Sequence, residues 1–149
     1  MKILLAINGS DYSREAVREL TQRPWPPHST VRILFVCEPF PYNPLLDPGL
    51  SGKAVDFDKI NRERASVLAD SAAARIRAAE PDLYVEVEVL QGWPGKMIVE
   101  EAQRWQADLI LLGSHGERPL HRFLAGSVAQ AVVLHAPCSV EVVRQKRIA

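Results

Sequence analysis

The sequence predicts an α/β fold built on a five-stranded parallel sheet with helices on both faces. Five short apolar segments recur along the 149 residues, and helical patterns separate them. Strands that alternate with helices in this way form parallel sheets through right-handed crossovers. The length suits one hydrophobic core, so we expect a single domain over residues 1–149.

The five apolar segments have the length of strands and show two patterns. The first and fourth are almost continuously apolar, which is typical of strands covered on both faces. In the third and fifth, glutamates alternate with valines, so we expect these two at the edges of the sheet. The segments are Ile3–Ile7, Val31–Cys37, Val85–Leu90, Leu109–Leu112 and Val140–Val143.

Four helical patterns fill the intervals between the strands. Ser10 or Asp11 predicts the start of a helix that runs to about Gln22. A second helix is expected from about Asp56 to Ala79, with alanines facing the core and the Arg and Glu residues between them on a solvated face. Pro94 marks the first turn of the third helix. The fourth starts near Ser127, and inward-facing residues are expected at Ile98, Ala102, Trp105, Val128, Ala131 and Val132.

One long segment shows no hydrophobic periodicity typical of a helix or a strand. Residues 38–55 follow the second strand and are rich in proline and glycine. They leave the carboxyl end of that strand, where open α/β sheets bind their ligands. A loop of this length predicts a lid or a mobile segment next to a binding site.

The amino-acid composition argues against several classes of function. Eighteen basic residues balance eighteen acidic ones, so no global field would attract nucleic acid or an anionic membrane. No apolar run approaches the ~20 residues of a membrane span, and the first residues lack the long apolar stretch of a signal peptide. Cys37 and Cys138 are expected to be buried free thiols, and no Cys/His cluster indicates zinc. We therefore expect a cytoplasmic protein without metal ligands, nucleic-acid binding or membrane insertion.

Two glycine clusters indicate phosphate binding. Gly113 and Gly116 follow the fourth strand, and after nine more residues Gly126 and Ser127 precede the fourth helix. Free N–H groups and the dipole at a helix start favour an anion, and glycine lets the backbone approach it. The same residues also suit an ordinary turn and a helix cap, so the residues alone leave both interpretations open. The stronger signatures, a GxxxxGK[ST] loop or a GxGxxG after the first strand, are absent.

Four stretches carry a resemblance to a known family. They are KILLAINGSDYSREA, Gln91–Pro94, ADLILLGSHG and LAGSVAQAVVLHAPCSVEVVR. In them the chain resembles the universal stress protein family along nearly its whole length. The ATP-binding branch of that family carries G-2x-G-9x-G-[ST], which Gly113, Gly116, Gly126 and Ser127 match without a gap.

The resemblance implies a fold and a ligand. The fold is a Rossmann-like, adenine-nucleotide alpha hydrolase-like sheet of strand order 3-2-1-4-5, with a homodimer joined along the last strand. The ligand is ATP, with AMP or ADP as alternatives and Mg as a further candidate. By matching position, Ile7, Asn8 and Val36 would line adenine and ribose, and Leu112 would lie beside the base. Ribose and phosphates would be held by Gly113, His115, Gly116, Gly126, Ser127 and Val128.

Asn8 departs from the family pattern, which usually has aspartate at this position. Asparagine keeps an acceptor oxygen and gains an NH₂ donor, but it loses the charge. It can still bond adenine or ribose. Any metal-supporting part of the aspartate's role would be weaker.

Three function hypotheses follow. The first is an ATP-binding, nucleotide-dependent stress-response module, a homodimer that acts on an unknown regulatory protein partner. The second is an enzyme, a slow ATP hydrolase or a nucleotidyl-transferring protein, which would need a positioned base or metal-binding carboxylates. The third is a dimeric partner-binding stress protein without nucleotide. With no recognisable catalytic residue, we expect at most weak ATPase activity.

Overall fold

The computed structural model describes residues 1–115 and 125–145, and it confirms the parallel sheet. Its strands are β1 (Lys2–Ile7), β2 (Thr30–Cys37), β3 (Tyr84–Gln91), β4 (Leu109–Gly113) and β5 (Ser139–Val143). They lie in the order β3-β2-β1-β4-β5, and every neighbouring pair is parallel. The predicted strand order is correct, and β3 and β5 are the edges.

Four helices cover the two faces of the sheet. They are α1 (Asp11–Leu20), α2 (Ser51–Ala79), α3 (Pro94–Trp105) and α4 (Ser127–His135), and a short 3₁₀ helix spans Pro48–Leu50. α1 and α2 pack on one face, and α3 and α4 pack on the other. Within residues 1–115 and 125–145, no helix combines the length and the apolar character that crossing a membrane requires.

The central strand β1 shows how the core is divided. Ile3 and Leu5 pack with α1 and α2, whereas Leu4 and Ala6 pack with α3 and α4. Successive side chains of a strand point to opposite faces, so a strand covered on both sides must be apolar throughout. The continuous apolar run of the sequence reflects this double burial.

The start of α2 differs from the prediction. The helix begins at Ser51, about one turn before the expected Asp56, so the irregular segment after β2 is shorter than expected. Ala54 is the one buried residue between Ser51 and Arg64. This part of the helix has no repeating apolar stripe, so its sequence lacks the 3.6-residue hydrophobic periodicity from which a helix is recognised.

Three smaller expectations also need correction. α1 ends at Leu20 rather than Gln22, because the N–H of Thr21 donates to the carbonyl of Arg18 and closes the last turn. In α4 the fully buried alanine is Ala129, which was not predicted, whereas Ala131 is half-buried and faces α3 at Gly95. Cys37 is a buried free thiol as expected, but Cys138 is only half-buried.

A charged network stabilises the amino half of the sheet. The Arg32 guanidinium bonds to Glu86 at 2.7 Å and to Glu101 at 2.5 Å, and its face lies 4.5 Å from the centre of the Trp105 ring. Arg104 bonds to the other Glu101 oxygen at 2.6 Å. Glu101 is 2% exposed, so its two arginine partners offset the cost of burying a carboxylate.

Candidate functional site

A crevice lies at the carboxyl ends of β1, β2 and β4. Its volume is about 880 Å³, and we call it the carboxyl-edge crevice. Pockets for small molecules commonly measure about 300–1,000 Å³. Nine of the ten predicted site residues line it: Ile7, Asn8, Val36, Leu112, Gly113, His115, Gly126, Ser127 and Val128. The tenth, Gly116, lies outside the described residues.

The first turn of α4 opens into this crevice. Gly126 stands at the cap position with φ −60° and ψ 162°, and among residues 1–115 and 125–145 no side chain caps the helix. The N–H of Gly126 itself donates to the carbonyl of Ser114 at 2.6 Å. The backbone N–H groups that follow, in the first turn of α4, have no intrahelical acceptor. Together with the helix dipole they form a site suited to an anion.

The start of α1 lies at the same edge and has a side-chain cap. The Ser10 hydroxyl accepts a bond from the N–H of Ser13 at 3.2 Å, and the Ser13 hydroxyl donates back to the Ser10 carbonyl at 3.0 Å. Ser10 and Ser13 are both buried. One first-turn donor of α1 is therefore already bonded to a side chain.

Ser114 holds the start of α4 in place. Its N–H donates to the carbonyl of Val143 in β5 at 2.8 Å, and its carbonyl accepts from Gly126. Its hydroxyl lies 2.9 Å from Nδ1 of His115. Ser114 is 2% exposed, so these bonds are shielded from water. One buried serine thus connects β4, β5 and α4.

Gly113 is required by packing. A Cβ at this residue would lie 2.6 Å from the carbonyl carbon of Tyr12 and 2.7 Å from its oxygen. The Tyr12 ring also packs against the His115 ring in a tilted arrangement, with 4.9 Å between the ring centres. The glycine therefore lets the first turn of α1 sit directly against the end of β4, which positions His115 at the crevice wall.

Asn8 shapes the loop between β1 and α1. Its side-chain oxygen accepts a bond from the N–H of Ser10 at 3.0 Å, and Gly9 between them has φ +80°. This turn uses the acceptor of the amide, so the NH₂ group is the part of Asn8 that a ligand can meet. An aspartate could make the same turn, but it would present a negative oxygen instead of a neutral donor.

The end of β2 supplies an apolar wall with a buried thiol. Val36 and Cys37 line the crevice, and the Cys37 Sγ lies 3.8 Å from the carbonyl oxygen of Asn61 in α2. Burial raises the pKa of the Cys37 thiol, and the nearby charges of Arg62 and Arg64 partly oppose that shift. Cys37 is therefore a neutral, apolar wall residue at neutral pH.

The segment after β2 contacts the helix that follows it. The N–H of Phe40 donates to the Asp58 carboxylate at 3.3 Å, and the ring of Phe40 packs 5.0 Å from that of Phe57. Pro41 and Phe57 both line the crevice. This segment therefore forms one side of the crevice, in agreement with its expected place at a binding site.

Sequence analysis missed the crevice residues of α1 and α2. Ser13, Phe57, Asn61 and Arg64 line the crevice, and Ser114 supports it. Phe57, Asn61 and Arg64 lie in the first half of α2, before its alanine stripe, and no face of the helix was predicted for them. Their position is determined by the packing of α2 over β2 and β3, which no local pattern reveals.

No metal site emerges from the described ranges 1–115 and 125–145, since they bring no three His, Cys, Asp or Glu side chains together for a metal ion. The ionisable crevice residues in these ranges are Cys37, Glu38, Arg64 and His115. Among the described residues, the crevice therefore combines the first turn of α4 with apolar walls and has no cluster of carboxylates.

Comparisons with known proteins place this architecture in a family. The family model of universal stress proteins matches residues 1–144. A universal stress protein of Methanocaldococcus jannaschii is 30% identical over 146 residues, which cover 98% of this chain and 83% of that protein. The solved structure of universal stress protein UspA from Lactobacillus plantarum is 27% identical with a TM-score of 0.77, covering 97% of each chain.

Two structural neighbours have been solved with nucleotides. One is a universal stress protein in complex with cAMP, with TM-score 0.62 and 21% identity over 97% of this chain and 96% of that one. The other, from Arabidopsis thaliana, has AMP bound, with TM-score 0.64 and 17% identity over 98% of this chain and 92% of that one. At these identities the likeness shows the shared fold. The match over residues 1–144 shows that the chain belongs to the universal stress protein family.

Proposed function

We propose that this chain is an adenine-nucleotide-binding stress-response module with ATP as its ligand, and with AMP or ADP as alternatives. The observation that carries the proposal is the uncapped first turn of α4, which opens into the carboxyl-edge crevice beside Gly126 and Ser127. The crystal structures of two family members hold cAMP and AMP, which supports an adenine nucleotide in this chain.

The shape and chemistry of the crevice fit the parts of such a ligand. Val36, Leu112 and Ile7 provide apolar surface for a base, and Asn8 provides a donor for base or ribose. The first turn of α4 provides backbone donors for phosphate oxygens. The Ser127 hydroxyl is exposed at the same turn and adds one more donor.

Magnesium would enter with the triphosphate. Mg²⁺ in nucleotide sites is held largely by substrate phosphates and water, with one or two carboxylates. Glu38 is a crevice carboxylate among the described residues. We propose that Mg²⁺ is a companion of the phosphate chain and is not held by a site of the protein itself.

An enzyme is the second candidate function, and the described site favours it less. Hydrolysis requires a base within reach of the attacking water. His115 is engaged with Ser114 and Tyr12 at the wall, which suits a fixed wall residue better than a proton carrier. We expect ATP turnover far below the ~1–100 s⁻¹ of kinases. Phosphate release from ATP and magnesium measures it, and turnover within that range would establish the enzyme.

A homodimer through β5 completes the proposal. β5 is an edge strand, so its outer side has unpaired backbone groups that a second copy can bond. Val140 and Val142 on this strand are half-buried, and Leu134 of α4 is 77% exposed. Cyclic dimers are the commonest closed assemblies. Light scattering at micromolar concentration tests this, and a monomer would refute it.

Nucleotide occupancy would regulate binding to a protein partner in the cytoplasm. The competing function is a dimeric partner-binding protein without nucleotide. One experiment separates the two: the protein is purified without added ligand and denatured, and the released small molecules are identified by mass. Released ATP, ADP or AMP supports the proposal.

A variant then tests the site. Gly126→Val should lower ATP affinity at least about tenfold in calorimetric titration, because a branched Cβ obstructs the nearest phosphate. Its φ of −60° is open to every residue, so backbone strain does not confound the result. Ser127→Ala removes one hydrogen bond to a charged group, which is worth at most about 1.5–3 kcal/mol. A well-folded Gly126→Val protein with unchanged ATP affinity would show that these are turn residues only.

A further inference from the structure

Arg64 of α2 borders the carboxyl-edge crevice. It is an exposed residue of that helix and lines the crevice together with Asn61 and Phe57. α2 and α4 pack on opposite faces of the sheet. Arg64 therefore approaches the crevice from the side opposite the first turn of α4, and it is the one Lys or Arg among the described residues that line it.

Gly9 brings the guanidinium close to the loop after β1. A Cβ at Gly9 would lie 3.7 Å from Nη2 of Arg64 and 2.8 Å from Cδ1 of Leu68. With φ +80° and no side chain, Gly9 lets α2 pack against this loop. Arg64 consequently stands beside the residue that directly follows Asn8.

At this position Arg64 would contact a different part of the ligand from the first turn of α4. In the proposed function Asn8 meets base or ribose, and the first turn of α4 meets the phosphate chain. Where Asn8 meets the ribose, a cation beside Gly9 would stand next to the ribose end of the ligand, to which the first phosphate is attached. The planar guanidinium suits two phosphate oxygens at once.

We propose that Arg64 is a specificity-determining residue that binds the phosphate attached directly to the ribose. The inference rests on the proposed nucleotide function and adds to it. It makes the chain a receptor for nucleotides with a phosphate at this place, which includes AMP as well as ATP. Adenosine, which lacks that phosphate, does not gain from Arg64.

The test compares three ligands and two matched variants. ATP, AMP and adenosine are titrated by calorimetry into the full-length protein, Arg64→Gln and Arg62→Gln. Arg62 is an exposed arginine of the same helix that does not line the crevice, yet its charge also acts on Cys37. It therefore controls for the general loss of positive charge near the site.

The expected result is selective. Arg64→Gln should bind both ATP and AMP about tenfold more weakly, the loss of one charge-assisted contact, and should bind adenosine like the wild type. Arg62→Gln should lose less than about twofold, as expected of a screened surface charge. Arg64→Lys should recover part of the affinity, because it keeps the charge and loses the paired geometry.

Other outcomes overturn the inference in distinguishable ways. Equal loss for adenosine would show that Arg64 acts on the base, the ribose or the fold, and melting curves of the unliganded proteins identify the last. Loss for ATP alone would place the contact on the outer phosphates. No loss in Arg64→Gln would exclude any contact. A wild-type protein that binds none of the three ligands would refute the nucleotide function itself.

Discussion

Replacing Gly113 by alanine tests whether the first motif glycine serves packing. The added Cβ would lie 2.6 Å, 2.7 Å and 2.9 Å from the carbonyl carbon, the oxygen and the Cβ of Tyr12. Carbon atoms at favourable contact stand about 3.5–4.0 Å apart, so α1 and β4 must separate by roughly 1 Å. Two of these three atoms belong to the backbone and cannot rotate away.

The expected cost follows from that overlap. Overpacking by one methyl group costs about 1–3 kcal/mol in a well-packed core. With roughly 2–4 °C lost per kcal/mol in a chain of this size, Gly113→Ala should melt about 2–12 °C below the wild type. Thermal denaturation followed by circular dichroism measures the shift, and urea denaturation gives the free energy of unfolding.

Gly49→Ala is the matched control. A Cβ at Gly49 would meet nothing within 4 Å, and its backbone lies outside the left-handed region. Its free energy of unfolding should stay within about 0.5 kcal/mol of the wild type. If the melting temperature of Gly113→Ala equals that of Gly49→Ala, the contact with Tyr12 does not constrain this position. The glycine must then be explained by the ligand alone.

Three further changes address charge and chemistry. Glu101→Gln should lower the free energy of unfolding by at most about 3 kcal/mol, because half-buried Arg32 loses one of its two charged partners and keeps Glu86. Arg104→Gln, with its side chain 64% exposed, should cost less than about 1 kcal/mol in the same urea experiment. Asn8→Asp should leave the melting temperature unchanged, since a carboxylate can accept the same bond from Ser10. Without Mg²⁺ it should weaken ATP binding about tenfold through like-charge repulsion, and titration with Mg²⁺ should recover part of the loss.

The sheet was predictable because its signals are local. The central strands are buried on both faces, so nearly all of their residues are apolar. This is why Ile3–Ile7 and Leu109–Leu112 could be recognised as strands from their continuous apolar sequence. The edge positions of β3 and β5 follow from their alternating glutamates. The start of α2 was not predictable, because residues from Ser51 onward are mostly exposed and leave no apolar stripe.

Some residues of the candidate site could likewise be predicted from the sequence and others could not. Gly126 was assigned from its place before a helix start, and Asn8 and Val36 were assigned through the resemblance to the universal stress protein family; all three line one crevice. Arg64 and Ser114 were not assigned. Arg64 reaches the crevice only through the packing of α2 over the sheet, and Ser114 acts through backbone bonds that any residue type can make.

The bonds of Ser114 connect the two halves of the proposed function. The start of α4, where phosphates would bind, is bonded through Gly126 to the Ser114 carbonyl, and the Ser114 N–H is bonded to Val143 at the end of β5. β5 is the edge that would pair in a dimer. A nucleotide at the first turn of α4 would therefore act two hydrogen bonds away from the proposed dimer strand. Ser114 and Val143 are buried, so we expect a shift of Gly126 to be passed on through Ser114 with little loss to water. This connection is a candidate route by which the nucleotide state would alter assembly or a partner surface, and it would carry such coupling only if the start of α4 has two discrete arrangements.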